Sequence, residues 1–189
     1  MKRILLVVLC TIMIAGVCLE QSVWATVALR TTLITNQQSG GCVIKLKEAG
    51  IQFLVPPGWE VEMEKGGLVT FSKSEGHSVI VATISAIAPE SSPLTPEAQF
   101  KLASEGTFSS AKKDFQDFKL GAAQKITQNG MPLTIQTYSG KRQGVDWSGS
   151  FAILQADKPV VIFTQVSTNV SATFVEEFSK LMNSVKKIE

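Results

Sequence analysis

From residue 51 to residue 86 the chain alternates between apolar and polar positions, interrupted by one rigid corner: IQFLVPPGWEVEMEKGGLVTFSKSEGHSVIVATISA. Ile51, Phe53 and Val55 recur with a period of two, the signature of a strand with one buried face. Pro56-Pro57 then ends it, because neither proline can donate to a ladder and both fix φ. Gly58 admits a backbone conformation that other residues resist, and Trp59 follows it. Val61 and Met63 alternate with Glu60, Glu62 and Glu64. A turn at Lys65-Gly66-Gly67 leads to a strand over 68–72. A second turn at Ser74-Glu75-Gly76-His77 leads to a longer strand over 79–87. The pattern makes this stretch the start of a sheet that the rest of the chain covers.

Before it, residues 26–35 read as a loose strand, 36–41 as a flexible connector and 42–46 as a short strand. After it, 88–93 form a crossover loop. Thr95-Pro96-Glu97 then starts a helix, with Thr95 as N-cap, proline in the first turn and an acid beside it. Its apolar face is Phe100, Ala103, Phe108, Ala111 and Phe115 over about 96–114, with a kink or an early stop near Ser104 as an alternative because of Gly106. Residues 118–127 read as a strand, Asn129-Gly130 as a hairpin turn and 131–138 as its partner. Residues 139–144 read as a polar turn, 145–155 as a long strand and 160–166 as another. Phe174, Phe178, Leu181, Met182 and Val185 form one helical stripe over about 171–186, capped by Asn169 or Ser171. Glu176, Glu177, Lys180, Lys186 and Lys187 are placed on the water side. Short turns between successive strands predict a mainly antiparallel sheet. With two amphipathic helices over it, the class is α+β.

The N-terminus changes the picture. Lys2-Arg3 precede an apolar run of 16 residues, Ile4 to Leu19, followed by Glu20-Gln21-Ser22 and the small-residue site Val23-Trp24-Ala25. This order predicts a signal peptide over 1–25, cleaved after Ala25 or alternatively after Ala28. The run is short of the roughly 20 residues that span a bilayer, so membrane attachment rests on an uncleaved leader or on lipidation at Cys18. The expected location is periplasmic or extracellular, in a bacterium. The domain organisation read from the chain is leader 1–25, flexible segment 26–41 and one domain 42–189. The leader removes two basic residues and one acidic residue, so a formal charge of +2 becomes +1. Without a basic stripe there is no case for nucleic acid. Cys10 and Cys18 leave with the leader, so Cys42 has no intrachain partner. It reads as a small, partly buried apolar residue, with an intermolecular disulfide as the alternative.

Candidate chemistry is sparse. His77 is the only histidine, too few for a His-rich zinc site. It reads as an exposed turn residue, or as a weak surface metal contact with Glu75. The Glu60/Glu62/Glu64 ladder reads as a solvated strand face, with a weak cation site as the alternative. Trp147-Ser148-Gly149-Ser150 is no nucleophile elbow, and no phosphate-binding glycine loop is present. Asn169-Val170-Ser171 fits a glycosylation acceptor at a helix cap. No catalytic residue, cofactor or metal is predicted. Trp59 reads as a packed corner plug or as an aromatic platform. Lys141-Arg142 read as a solvated turn tip or as a docking point for an acidic partner. Phe100, Phe108 and Phe115 lie on a helix face broken by Gly106, and are either all buried or partly open to a partner.

Phe53-Leu54-Val55-Pro56-Pro57-Gly58-Trp59, the Asn129-Gly130 hairpin and the closing Leu181-Met182-Asn183-Ser184-Val185 together resemble the PsbP-like family, over about residues 42–188. The resemblance implies an α/β/α sandwich around a central, mainly antiparallel sheet. It implies a non-catalytic protein-binding or assembly module whose protein partner the sequence does not name. An adaptor or chaperone for hydrophobic segments is a second reading, and a small hydrolase or metal-dependent enzyme a third.

Overall fold

The computed structural model describes residues 31–34, 41–64, 68–76, 78–87, 94–167 and 170–188. The expected leader with its cleavage sites and Cys18, the connector 36–40, the 65–67 turn, His77, the 88–93 crossover and Asn169 lie outside the described residues. In chain order the elements are β1 (Thr31–Ile34), β2 (Cys42–Leu46), a 3-10 turn (Lys47–Ala49), β3 (Ile51–Val55), β4 (Glu60–Met63), β5 (Val69–Glu75) and β6 (Ser78–Ala86). Then come α1 (Pro96–Asp114), β7 (Gln116–Leu120), β8 (Gln124–Gln128), β9 (Met131–Arg142), β10 (Val145–Gln155), β11 (Pro159–Ser167), α2 (Ala172–Asn183) and β12 (Lys186–Lys187).

The main sheet runs β1-β4-β5-β6-β11-β10-β9, and its far edge is shared by β7 and β8, which pair with opposite halves of the long β9. Every pairing is antiparallel. β10 is central: Phe151, Ala152, Ile153 and Leu154 are all buried, so both faces of the sheet are covered there. On one face Phe151 and Ile153 pack with Phe100, Phe108, Ala111 and Phe115 of α1 and its C-cap. On the other, Ala152 and Leu154 join Ile80, Ile84 and Ile162 under Phe174 and Leu181 of α2. The layers are therefore α1, the main sheet, then α2 beside a second sheet, an α+β architecture of the expected class.

That second sheet corrects the reading of residues 51–86 as one continuous sheet. β3 belongs to a separate three-stranded sheet, β12-β3-β2, and the Pro56-Pro57-Gly58-Trp59 corner carries the chain from it into the main one. The prolines withhold the ladder donors. Gly58 takes a φ of 80°, in the left-handed region that glycine enters freely. Ile51, Phe53 and Val55 still face a core, with Phe53 edge-on to Phe71 of β5 at 5.0 Å.

Other elements also differ from the pattern. α1 runs unbroken through Gly106, which is exposed and has open space where a Cβ would stand, so only its propensity cost remains. The expected strand over 118–127 is two strands separated at 121–123, with a bulge between Gln116 and Lys119 around Asp117 at φ 51°. The polar turn over 139–144 shrinks to Gln143-Gly144, both at positive φ, as a tight hairpin requires. β9 accordingly extends to Arg142. α2, capped by the Ser171 hydroxyl, ends at Asn183 rather than near 186. Lys186 and Lys187 pair instead with Gln52 and Ile51 of β3. The Asn129-Gly130 turn fixes that ending. The Asn129 amide donates to the Asn183 carbonyl at 2.9 Å and to the Val185 carbonyl at 2.7 Å. The first is a carbonyl of the last helical turn, which a helix leaves unpaired; the second lies just beyond the C-cap Ser184.

Candidate functional site

Phe100, Phe108 and Phe115 are 8%, 5% and 7% exposed. The open phenylalanine face that a partner would need is not formed; the sheet itself occupies it. Phe100 and Phe108 meet Phe151 edge-on at 5.5 and 5.8 Å, and Phe108 and Phe115 flank Tyr138 at 6.0 and 6.1 Å. Tyr138 stacks on Phe163 at 5.6 Å and donates its hydroxyl hydrogen to the Thr164 carbonyl at 2.8 Å. It reaches that carbonyl by lying across Gly149: a Cβ there would stand 2.6 Å from the ring. Burial pushes the Tyr138 phenol well above its ordinary range, opposed only weakly by a Gln165 hydrogen bond and by Arg142.

Trp59 is fully buried, stacked on Phe178 at 6.1 Å, with its indole N–H donating to Glu177 Oε2 at 3.3 Å. It is the packed plug of the two readings. Glu177, expected to face water, is half-buried; it also receives Lys73 Nζ, which in turn sits over the Phe174 ring at 4.9 Å. Helical spacing places Glu177 on the edge of the apolar stripe, but only the fold reveals Lys73 opposite it. Lys141 and Arg142 lie at the end of β9, not on a turn tip; Lys141 is exposed and 3.9 Å from Asp146. Cys42 is a free, half-buried thiol whose pKa is pushed up by burial. Among the described residues no group of three or more His, Cys, Asp or Glu side chains is placed to hold a metal ion.

These residues account for packing beneath the two helices, and the α1 side of the sheet changes character away from α1. Eight strands abreast at about 4.8 Å spacing make a sheet roughly 34 Å across, and a helix with its side chains covers about 10–12 Å of it. On the α1 side the sheet register defines two rows. One runs Phe151, Phe163, Thr83, Thr70, Glu62; the next runs Gly149, Gln165, Val81, Ser72, Glu60. Each row is aromatic or packed under α1 and, Val81 apart, turns to hydroxyls and carboxylates on β6, β5 and β4. The orientation of α1 follows from its contacts. Phe100, Ser104, Phe108 and Ala111 face the sheet, and Glu97 is on the flank that meets Lys125 of β8 at 2.7 Å. At about 100° per residue, Ala103 and Thr107 then lie on the opposite flank, and Gln99 lies about 140° from the sheet-facing direction. On the α1 face of the sheet the polar side chains of β5 and β4 are half-buried or exposed, while Val81 and Thr83 of β6 are covered. The sequence showed its acids as a ladder on one strand. It did not show Thr70, Ser72 and Thr83, because they come together only through strand pairing.

No protein-family model matches the chain, and no curated protein matches it by sequence. Solved structures do. Cyanobacterial PsbP from Synechocystis is similar at 16% identity and TM-score 0.53, over 90% of this chain and 99% of that one. LpqN, a protein involved in cell envelope biogenesis of Mycobacterium tuberculosis, is 12% identical at TM-score 0.49, over 87% and 93%. A Pseudomonas aeruginosa protein of unknown function is 19% identical at TM-score 0.46, over 77% and 96%. At 16% identity the likeness to cyanobacterial PsbP speaks to architecture alone, and it agrees with the layers and hairpins described above: this chain has the PsbP-like fold.

Proposed function

We propose that this chain is an exported, non-catalytic module for protein binding or assembly. The observation that carries the reading is the sheet face beside α1. There β4 and β5 present Glu60 exposed and Glu62, Thr70 and Ser72 half-buried, next to Val81 and Thr83 of β6, which are covered. Such a face offers area and fixed hydrogen-bonding groups, as association requires. The basic n-region and apolar run of the leader support export. Cross-linking in the host followed by mass spectrometry is the test. The expected result is a mature N-terminus near Thr26 or Leu29 and one reproducible protein partner. An intact Met1 in the membrane fraction would overturn export. Turnover of a substrate in a hydrolase and metal-dependence screen, lost in His77→Ala, would overturn the non-catalytic reading.

A second reading, an adaptor for hydrophobic segments, draws on a smaller feature. Val43 and Leu54 are cross-strand neighbours on the outer face of the small sheet, 56% and 46% exposed. Two side chains make much less than the several hundred Å² of a typical apolar interaction patch, so this reading stands second. Leu54→Lys abolishing capture of an apolar peptide would raise it to first.

A further inference from the structure

The far edge of the main sheet is built in two different ways. β7 pairs with β9 through a bulge around Asp117, and a bulge twists an edge away from other strands. β8 has no such device. Its residues Gln124 to Gln128 pair with Ile135 to Met131 in unbroken register and include no proline. Among the described residues no strand lies beyond it. Lys125 is its one charge, and a lysine commonly guards an edge. Here Glu97 draws the ammonium onto the α1 face at 2.7 Å. On the other face Ile126, cross-strand from Leu133, is 47% exposed.

The turn fixes which backbone groups of β8 point outward. Asn129-Gly130 is a two-residue loop with both φ positive, so Gln128 and Met131 on either side of it exchange both backbone hydrogen bonds. Alternation along an antiparallel pair then turns the N–H and C=O of Ile126 and Gln124 toward β9, and those of Lys125 and Thr127 away from it. Pro132 agrees with this phase. It lies opposite Thr127, where a backbone N–H would point away from β8, and the β9–β10 ladder has already ended at Leu133 and Leu154.

These outward groups match a second copy of themselves. In an antiparallel pairing about a two-fold axis at Ile126, Lys125 of each copy faces Thr127 of the other. Each such pair exchanges two hydrogen bonds, four in all, and the two Ile126 side chains meet in the closely spaced position between them. Gln124 then faces Gln128, and the small Ala122 and Ala123 lie opposite the second copy's Asn129-Gly130 turn. The neighbouring registers are worse. Centring on Lys125 opposes two lysines. Centring on Thr127 sets Lys125 against Asn129, whose φ of 47° is outside strand geometry.

We infer that β8 is a self-complementary edge through which two copies of this chain join their main sheets, with Ile126 at the two-fold axis. Five paired residues a side fall short of the ~800 Å² per partner of a standard interface, so pairing is weak and follows protein concentration. The inference goes beyond the module reading above and does not rest on it.

The test places cysteine at Ile126 in the mature protein, with Cys42→Ser so that no other thiol remains once the leader has gone. Cα atoms facing each other in the closely spaced position are about 4.5 Å apart, within a disulfide's range. Mild oxidation should link Ile126→Cys into a covalent dimer about tenfold faster than Gln124→Cys, whose two copies stand roughly 14 Å apart along the strands. Gln124→Cys linking as fast would overturn the inference. Without oxidant, sedimentation equilibrium of the parent should give a mass that rises with concentration. Ile126→Lys sets two like charges opposite each other in place of an apolar pair and should weaken association about tenfold, with thermal unfolding like the parent's. A parent monomeric up to about 1 mM, association unchanged in Ile126→Lys, or amide shifts on dilution confined to residues other than 122–129 would each overturn the inference. So would an apolar strand peptide that binds β8 while the parent stays monomeric, since the edge would then serve another protein's strand. Each of these failures leaves the module reading standing, because that reading needs no self-association.

Discussion

Gly149 is where the packing of this fold can be tested most sharply. It sits on β10 between Tyr138 of β9 and Gln165 of β11. A Cβ added there would lie 2.0 Å from the Thr164 carbonyl oxygen and 2.6 Å from both Cζ and the hydroxyl of Tyr138. Ordinary contact begins near 3.4 Å. Gly149→Ala therefore requires a large movement from backbone as well as from a ring locked among Phe108, Phe115, Phe118 and Phe163. Overpacking of this kind costs about 1–3 kcal/mol. Displacing Tyr138 also breaks its bond to Thr164, a further ~1 kcal/mol. Together these predict a loss of about 2–4 kcal/mol. For a domain of this size that is a fall in Tm of roughly 5–15 °C. Gly106→Ala is the internal control: with open space at its Cβ position in α1, it should stabilise by about 0.5–1 kcal/mol. Urea unfolding followed by near-ultraviolet circular dichroism reads both. If Gly149→Ala unfolds with the same free energy as the parent, with none of the loss that overpacking imposes, the placement of Tyr138 over the glycine is refuted.

Tyr138 is the only tyrosine, so phenolate absorbance titrates it alone. Its folded pKa is raised by burial. The stability tied to its neutral form is therefore complete below the unfolded value of about 10 and is lost as pH rises from there through the folded value. Its ionisation should coincide with alkaline unfolding; a free titration near pH 10 in the folded protein would contradict its burial. Asn129→Ala removes two hydrogen bonds, to the last residue of α2 and to Val185 just beyond its cap, and places a Cβ-bearing residue without a local polar side chain at φ 47°. It should cost about 1–3 kcal/mol in chemical denaturation, and Asn129→Gly should recover only the backbone share. Trp59→Leu vacates a fully buried site and strands Glu177 of its indole donor. A loss of about 3 kcal/mol is expected by thermal unfolding, and wild-type stability would instead support the platform reading.

Local rules in the sequence determined much of this molecule. Period-two alternation located β3, β4 and β10, and the turns between them bounded β5, β6 and β11. Thr95-Pro96 set the start of α1, and Asn129-Gly130 set the hairpin, because each is a short-range steric or hydrogen-bonding preference. The stripe Phe174, Phe178, Leu181 and Met182 likewise placed α2 before any packing was known. Tertiary structure decided what the pattern could not reach. Pro56-Pro57 signals that a strand ends, but not that the chain changes sheets, which is decided by the pairing of β3 with β2 and β12. The end of α2 depends on Asn129 reaching its carbonyls from 54 and 56 residues away. Whether Phe100, Phe108 and Phe115 were a surface or a core depended on Tyr138 and Phe151 opposite them. The acids of β4 read alike on paper as a solvated face. Strand register set Thr70 and Ser72 beside them and Thr83 one strand further on, because neighbours across a sheet are chosen by pairing and not by distance along the chain.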